Sequence, residues 1–208
     1  VPRPVLCLVT DRRLAAGPLA DVVEAVVAAG VDWVQIRERD LDGADLVALC
    51  DRVVAAAHGA NPDARVLVNR RVDVALAARA DGAHLGFDAL PVATARALLG
   101  GTATLGVATH APEEVAAAAR DGADYAHLAP IFAPLSKPAE RAPLGLDAIA
   151  RCRGALPILA QGGIEPHNAT AAVRAGAAGV AVTGAILSAS DPAEAARALR
   201  AALDAAVV

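Results

Sequence analysis

The amino-acid sequence predicts an α/β fold, a single (β/α)8 TIM barrel over residues 1–208. Three observations lead there. Short apolar runs alternate with helical patterns along the chain, with no linker or composition break. Strict alternation of this kind builds a parallel sheet. A small motif also recurs, in which a helix ends at a Gly with an acidic neighbour and a strand follows. It reads Ala29-Gly30-Val31-Asp32, Ala80-Asp81-Gly82-Ala83 and Asp121-Gly122-Ala123-Asp124, and returns as Ala175-Gly176-Ala177-Ala178. Its glycines are spaced by roughly two βα units of about 25 residues each, and Gly just past a helix is the expected C-terminal cap. Finally, two glycine clusters close the chain: Gln161-Gly162-Gly163-Ile164, and Thr183-Gly184 after the run Gly179-Val180-Ala181-Val182. Many barrels hold a phosphate at the loops after strands seven and eight.

Eight strands are expected: Val5–Thr10, Trp33–Arg37, Val66–Asn69, Ala83–Gly86, Thr104–Ala108, Tyr125–Ala129, Ile158–Gln161 and Gly179–Thr183. They are short and apolar, as strands covered on both faces should be. Between them lie helical stretches. Val22, Val23, Val26 and Val27 form one stripe at helical spacing. Asp191-Pro192-Ala193-Glu194 reads as a cap, a first-turn Pro and an acidic third position, with a helix running to about Ala205.

Composition excludes several classes. The net charge of −4, with no basic run, argues against a nucleic-acid partner. Hydrophobic residues make up 56% of the chain, but no apolar stretch reaches the ~18 residues of a membrane span. The opening Val1-Pro2-Arg3-Pro4-Val5 has no signal-peptide pattern. Cys7, Cys50 and Cys152 lack metal-ligand spacing and read as reduced, buried thiols of a cytoplasmic protein. A homo-oligomer is compatible with the sequence, which sets no oligomeric state.

In such a barrel the site lies at the C-terminal ends of the strands. Strand two ends Gln35-Ile36-Arg37-Glu38-Arg39, and alternation puts Gln35, Arg37 and Arg39 on one side. Guanidinium groups suit phosphate or carboxylate; the alternative is an interior ion-pair layer with Glu38 or a neighbouring acid. Asn69 either reads a heterocycle edge or caps the next helix. His84 either faces the pocket or is a hydrogen-bonded core histidine, and Phe87 either stacks on a flat ring or plugs the barrel. His110 either moves protons or opens the next helix. His127 reads as structural; His58 and His167 read as surface. The longest loop, Pro130 to Leu144, is a candidate lid in which Lys137 meets an anion or stays solvated. Backbone N–H groups of Gly162, Gly163, Thr183 and Gly184 are the expected phosphate grip.

Several segments, taken in order, resemble the thiamine phosphate synthase / TenI family over nearly the whole chain. They are Leu8-Val9-Thr10-Asp11, Val34-Gln35-Ile36-Arg37-Glu38, Asp81-Gly82-Ala83-His84-Leu85-Gly86 and Gly106-Val107-Ala108-Thr109-His110. Pro130-Ile131-Phe132, Ser136-Lys137, Pro143-Leu144-Gly145-Leu146, Gly162-Gly163-Ile164 and Gly179-Val180-Ala181-Val182 continue the series. The synthase joins an aminopyrimidine methyl diphosphate to a thiazole phosphate and releases pyrophosphate, with Mg2+. The resemblance implies that Gln35, Arg37, Asn69, Ser136 and Lys137 line the site, and that Gly163, Thr183 and Gly184 grip the thiazole phosphate. Arg39 stands where synthases usually have Lys.

The departures shape the functional expectation. Synthases carry a Mg2+-binding Asp after the strand-three Asn, where this chain has Arg70. After His-Leu-Gly they carry Gln, an acid and a second Mg2+-binding Asp; here stand Phe87, Asp88 and Ala89. The usual Ser after strand five is Ala108, and a lid Thr is Pro134. A kept phosphate grip with lost metal acids resembles the TenI branch, associated with aromatising tautomerisation of a thiazole carboxylate phosphate. The TenI histidine is absent, since Pro130 stands there. The expectation is therefore a TenI-like barrel that binds thiazole phosphate and tautomerises it without a metal. His110, His84 and Lys137 are its proton-transfer candidates, and it has no cofactor. The alternatives are a divergent synthase, which would use Mg2+, and a non-catalytic thiazole- or thiamine-phosphate binder.

Overall fold

A computed structural model of the protein describes residues 3–133 and 142–207. Eight parallel strands close into a barrel in sequence order. They are β1 (Val5–Val9), β2 (Trp33–Ile36), β3 (Arg65–Asn69), β4 (Gly82–Leu85), β5 (Thr104–Thr109), β6 (Tyr125–Leu128), β7 (Ile158–Gln161) and β8 (Gly179–Val182). Each lies within one residue of its expected bounds. The helices are α1 (Leu19–Ala28), α2 (Gly43–Ala60), α3 (Val72–Ala77), α4 (Val92–Leu99), α5 (Pro112–Arg120), α6 (Gly145–Arg151), α7 (Pro166–Arg174), α8 (Gly184–Leu187) and α9 (Pro192–Asp204). None of the described helices is long and apolar enough to cross a membrane.

Alternation along each strand divides the core into two. Leu6, Leu8, Val34, Ile36, Val66 and Val68 point outward into the layer between barrel and helices. Cys7, Val9, Leu67, Tyr125, Leu159 and Ala181 fill the interior. Leu19, Val23, Val26 and Val27 are the buried residues of α1, and Val22 of the expected stripe is only half-buried. Asp191 caps α9 by accepting the Glu194 N–H at 2.9 Å, as its sequence predicts. All three cysteines are buried free thiols.

The recurring Gly–acid motif has a specific task at the N-terminal end of the barrel. Asp32, just before β2, accepts the Leu6 N–H of β1 at 2.8 Å. Asp81, before β4, accepts the Val66 N–H of β3 at 2.7 Å. Asp124, before β6, accepts the Leu105 N–H of β5 at 2.7 Å. Each acid thus satisfies a donor on the preceding strand and ties the strands together in pairs. Each also takes a basic side chain: Arg200 at 2.9 Å, His58 at 3.1 Å and Arg96 at 2.6 Å respectively. The fourth copy has Ala178 in place of the acid, and its backbone N–H donates to the Ile158 carbonyl at 2.8 Å.

Gly30, Gly122 and Gly176 take φ of 113°, 97° and 116° after their helices, the expected cap geometry. Gly82 departs from that expectation. It lies inside β4, where a Cβ would overlap the Thr104 backbone. The left-handed residue after α3 is Arg79, at φ 49°.

The barrel interior also holds a polar and aromatic column. The Tyr125 ring lies across Gly106, where any Cβ would overlap it. Its hydroxyl meets His84 Nδ1 at 2.9 Å, and Trp33 meets its ring edge-on at 4.9 Å between centroids. The His84 and His127 rings meet at 4.2 Å between centroids, tilted by 43°. Burial holds both imidazoles neutral: His84 is pushed well below its ordinary pKa, and His127 to about 3.

Two outcomes are expected from this architecture. Asp124→Ala strips the Leu105 N–H of its acceptor and should destabilise the fold by about 1–3 kcal/mol in urea denaturation. The unfolded chain binds protons that the buried histidines refuse, so stability should be full above about pH 6.5 and fall below it. The loss should reach at most about 1.4 kcal/mol per pH unit for each histidine. His127→Gln should make the fall between about pH 6 and about 4.5 shallower. A slope equal to that of the unmodified protein would show that His127 titrates freely in the folded barrel.

Candidate active site

The C-terminal mouth of the barrel gathers most of the expected residues. Gln35 is only 2% exposed. Its amide Nε2 donates to Asn69 Oδ1 at 3.0 Å across the β2–β3 boundary. Asn69 therefore belongs to the barrel interior. It does not cap α3, whose N-cap is Arg71. The Gln35 Oε1 is buried without a partner. Whichever way the two amides are turned, their pairing leaves one acceptor and one donor to spare, which suits the edge of a heterocycle.

Arg37 is half-buried beside this pair. The alternative reading, an interior ion pair with Glu38, is not formed. Glu38 turns the other way, accepting the Thr10 hydroxyl at 2.6 Å and Arg12 Nη1 at 3.2 Å. Asp11 binds Arg13 through two hydrogen bonds at 2.8 and 2.7 Å. That pairing holds its carboxyl below the ordinary range. Among the described residues no carboxylate stands within ion-pair distance of Arg37 or Arg39. Burial, and then the neighbouring Arg39 charge, lower the pKa of Arg37. A bound anion would relieve both effects.

One positioning residue escaped the sequence reading. Thr10 is fully buried, and its hydroxyl accepts the Arg37 N–H at 2.9 Å while donating to Glu38. It fixes the backbone that carries the guanidinium. A hydroxyl residue at the end of β1, next to β2, was the available signal.

The histidines separate. His84 is 2% exposed and belongs to the Tyr125–His127 column. It is the hydrogen-bonded core alternative, too enclosed to exchange protons with a substrate at the mouth. His110 lies at the mouth, after β5. Its Nδ1 is 2.6 Å from the Ala129 carbonyl oxygen. A carbonyl only accepts, so Nδ1 carries a proton and Nε2 is the ring nitrogen left to exchange one. Phe87, 64% exposed, stacks on His110 at 4.6 Å and does not plug the barrel.

The glycine clusters end neighbouring strands, with Gln161 opposite Ala181 in register. Among the described residues nothing accepts the N–H of Gly163, Gly184 or Ala185. These residues follow the C-terminal ends of β7 and β8. A second constraint acts on the first cluster. Gly162 and Gly163 have φ of 92° and 61°. A Cβ on Gly162 would stand 2.7 Å from Pro130 Cβ, and one on Gly163 would overlap the Ala133 carbonyl. Phe132 donates its N–H to the Gly162 carbonyl at 3.0 Å. The pair is thus glycine partly so that the segment after β6 can lie on it. Ser136 and Lys137, with the rest of 134–141, fall outside the described residues.

Comparison with known proteins places this geometry. A family model described as thiamine monophosphate synthase matches residues 6–186. The chain belongs to this family. It is 44% identical over 201 residues to a thiamine-phosphate synthase of Chloroflexus aurantiacus, covering 94% of this chain and 91% of that one. A thiamine-phosphate synthase of Roseiflexus castenholzii is 40% identical over 201 residues, covering 95% and 87%. Among solved structures, a thiamine phosphate pyrophosphorylase from Pyrococcus furiosus superposes with a TM-score of 0.88 at 28% identity, covering 98% and 97%. The closed barrel is therefore the family's fold.

The Mg2+ that the family implies finds no fitting donor set here. Among the described residues no group of three or more His, Cys, Asp or Glu side chains could hold a metal ion. Arg70 and Ala89 stand at the two positions where the resemblance leads to an expectation of metal-binding acids. The nearby carboxylate, Asp88, is bound to Arg70 at 2.9 Å. Divalent cations of this class need several oxygen ligands, and a guanidinium already occupies the one on offer.

Gly163→Ala tests the packing constraint. It should lower ligand-free stability by more than about 1 kcal/mol, from left-handed strain plus overlap. Unchanged stability with weakened phosphate affinity would show that the glycine serves ligand approach alone.

Proposed function

We propose that this chain is a thiamine-phosphate synthase. Its thiazole phosphate is held by the backbone donors of Gly162, Gly163, Thr183 and Gly184, where helix-start and strand-end N–H groups favour an anion. The spare donor and acceptor of Gln35 and Asn69 hold the aminopyrimidine edge. Arg37 and Arg39 face its diphosphate, and the family resemblance adds Ser136 and Lys137 to that side. The thiazole nitrogen attacks the pyrimidine methylene, a C–N bond forms, and the methylene–oxygen bond breaks to release pyrophosphate. Negative charge grows on the leaving group, and cations fixed where that charge develops lower the barrier. The observation that carries this reading is Arg37: half-buried, without a carboxylate partner, and at the same mouth as the N–H donors.

This reverses the order of preference that the missing metal acids suggest. Near-full-length similarity at 40% and 44% identity to proteins named as synthases supports coupling over tautomerisation. The tautomerase remains a second reading because of one feature. The Nδ1 bond of His110 leaves Nε2 to exchange a proton at the mouth.

Incubation with the aminopyrimidine methyl diphosphate and thiazole phosphate should yield thiamine phosphate and pyrophosphate in equal amounts. Arg37→Ala should slow this by about 100-fold or more. Absence of product would contradict the proposal. If the chain instead accelerated aromatisation of the thiazole carboxylate phosphate, and lost this in His110→Gln, the second reading would replace it. Tight binding without turnover of either would identify a carrier.

A further inference from the structure

We infer that Arg70 takes the place of the family's metal, so that the mouth binds a diphosphate through guanidinium groups and without Mg2+. The inference rests on the synthase reading for the identity of the diphosphate, but its geometry stands apart from it.

Arg70 follows Asn69 at the end of β3. Its φ is 66°, and the Arg71 N–H donates back to the Asn69 carbonyl at 2.8 Å, closing a three-residue turn around it. Left-handed backbone at a long side chain costs free energy and persists where the surroundings impose it. The Arg70 N–H is held by the His84 carbonyl at 2.8 Å. The turn brings the side chain over the end of β4. A Cβ on Gly86 would stand 3.9 Å from Arg70 Cγ and 3.5 Å from Asp88 Oδ1. Gly86 follows Gly82 and His84 in the inward alternation of that strand. Arg70 and Asp88 therefore sit at the rim of the mouth, on the β3–β4 side.

The two consecutive arginines differ in their commitments. Arg71 is tied by Asp42 and by two bonds to Asp73. Arg70 has one carboxylate, Asp88, which is mostly exposed. An exposed ion pair is weak and exchanges readily for a better anion. A diphosphate offers more charge and more oxygens to the planar guanidinium fork. The same rim in a metal-using relative would present carboxylates, attracting a cation that then attracts the diphosphate. Here the positive charge is part of the chain, and Arg37 and Arg39, just after β2, add to it.

The two accounts predict opposite effects for Asp88. As a metal ligand it would support diphosphate binding. As the resting partner of Arg70 it competes with the diphosphate. Calorimetric titration of the full chain with inorganic pyrophosphate separates them. In EDTA the chain should bind pyrophosphate, and Mg2+ should make binding no tighter. Arg70→Asn, which tolerates the left-handed backbone, should weaken binding at least tenfold. Asp88→Asn should leave it equal or tighter. Four results would each overturn the inference: no binding in EDTA, binding that appears only with Mg2+, an Arg70→Asn affinity equal to the original, or clear weakening by Asp88→Asn. The coupling assay keeps the two proposals distinct. Metal-free pyrophosphate binding without thiamine phosphate formation would sink the synthase reading alone. Coupling that stops in EDTA would sink this one alone.

Discussion

Three aspartates at the closed end of the barrel hold the strands on which the site depends. Asp32, Asp81 and Asp124 each sit just before an even-numbered strand and accept an N–H from the odd-numbered strand before it. A charged acceptor on a backbone donor is stronger than a neutral pair and specific in register. A one-residue slip in any of these strands would turn Gln35, Asn69 or Gly106 from the interior to the helix layer. The amide pair, the Tyr125 column and the cationic rim at the far end therefore inherit their positions from bonds at the near end. The fourth quarter lacks the acid and relies on its backbone. There, glycine takes up the fit, since a Cβ on Gly179 would overlap the Val5 backbone.

The barrel was legible because its signals are local and repeated. Buried parallel strands read as short apolar runs, and capped helices as Asp or Pro openings. The recurring Gly–acid pair marked quarter-turns of the fold, although its acid is a strand tie whose partner lies some 15 to 26 residues away in sequence. Gly82 misled because glycine serves two ends: flexibility after a helix and absence of a side chain inside a barrel. Arg79, which takes the left-handed position instead, carries no such signal.

The site was legible in its residues and much less so in their commitments. Alternation placed Gln35 and Arg37 inward, and the structure agrees. It could not say that Glu38, one residue on, turns away to Thr10 and Arg12, because that depends on the neighbouring strand. Nor could it tell a pocket histidine from a core one at His84, where the deciding partner is Tyr125 from a strand two places away. Which cations are already paired, and which are left over, is a property of the fold. By that measure Arg12, Arg13 and Arg71 are structural, Arg37 and Arg39 have no acid within ion-pair distance among the described residues, and Arg70 holds one that is mostly exposed.

On the proposed reading the mouth binds two phosphate-bearing groups, with backbone donors on one side and built-in guanidinium groups on the other. A crystal structure grown with thiazole phosphate, inorganic pyrophosphate and Mg2+ tests it most directly. The thiazole phosphate should lie on the Gly163 and Gly184 N–H groups. Pyrophosphate oxygens should be in hydrogen-bond contact with Arg37 and Arg70, with no cation between them. A Mg2+ ion coordinated by Asp88, with Arg70 turned away from the pyrophosphate, would contradict it.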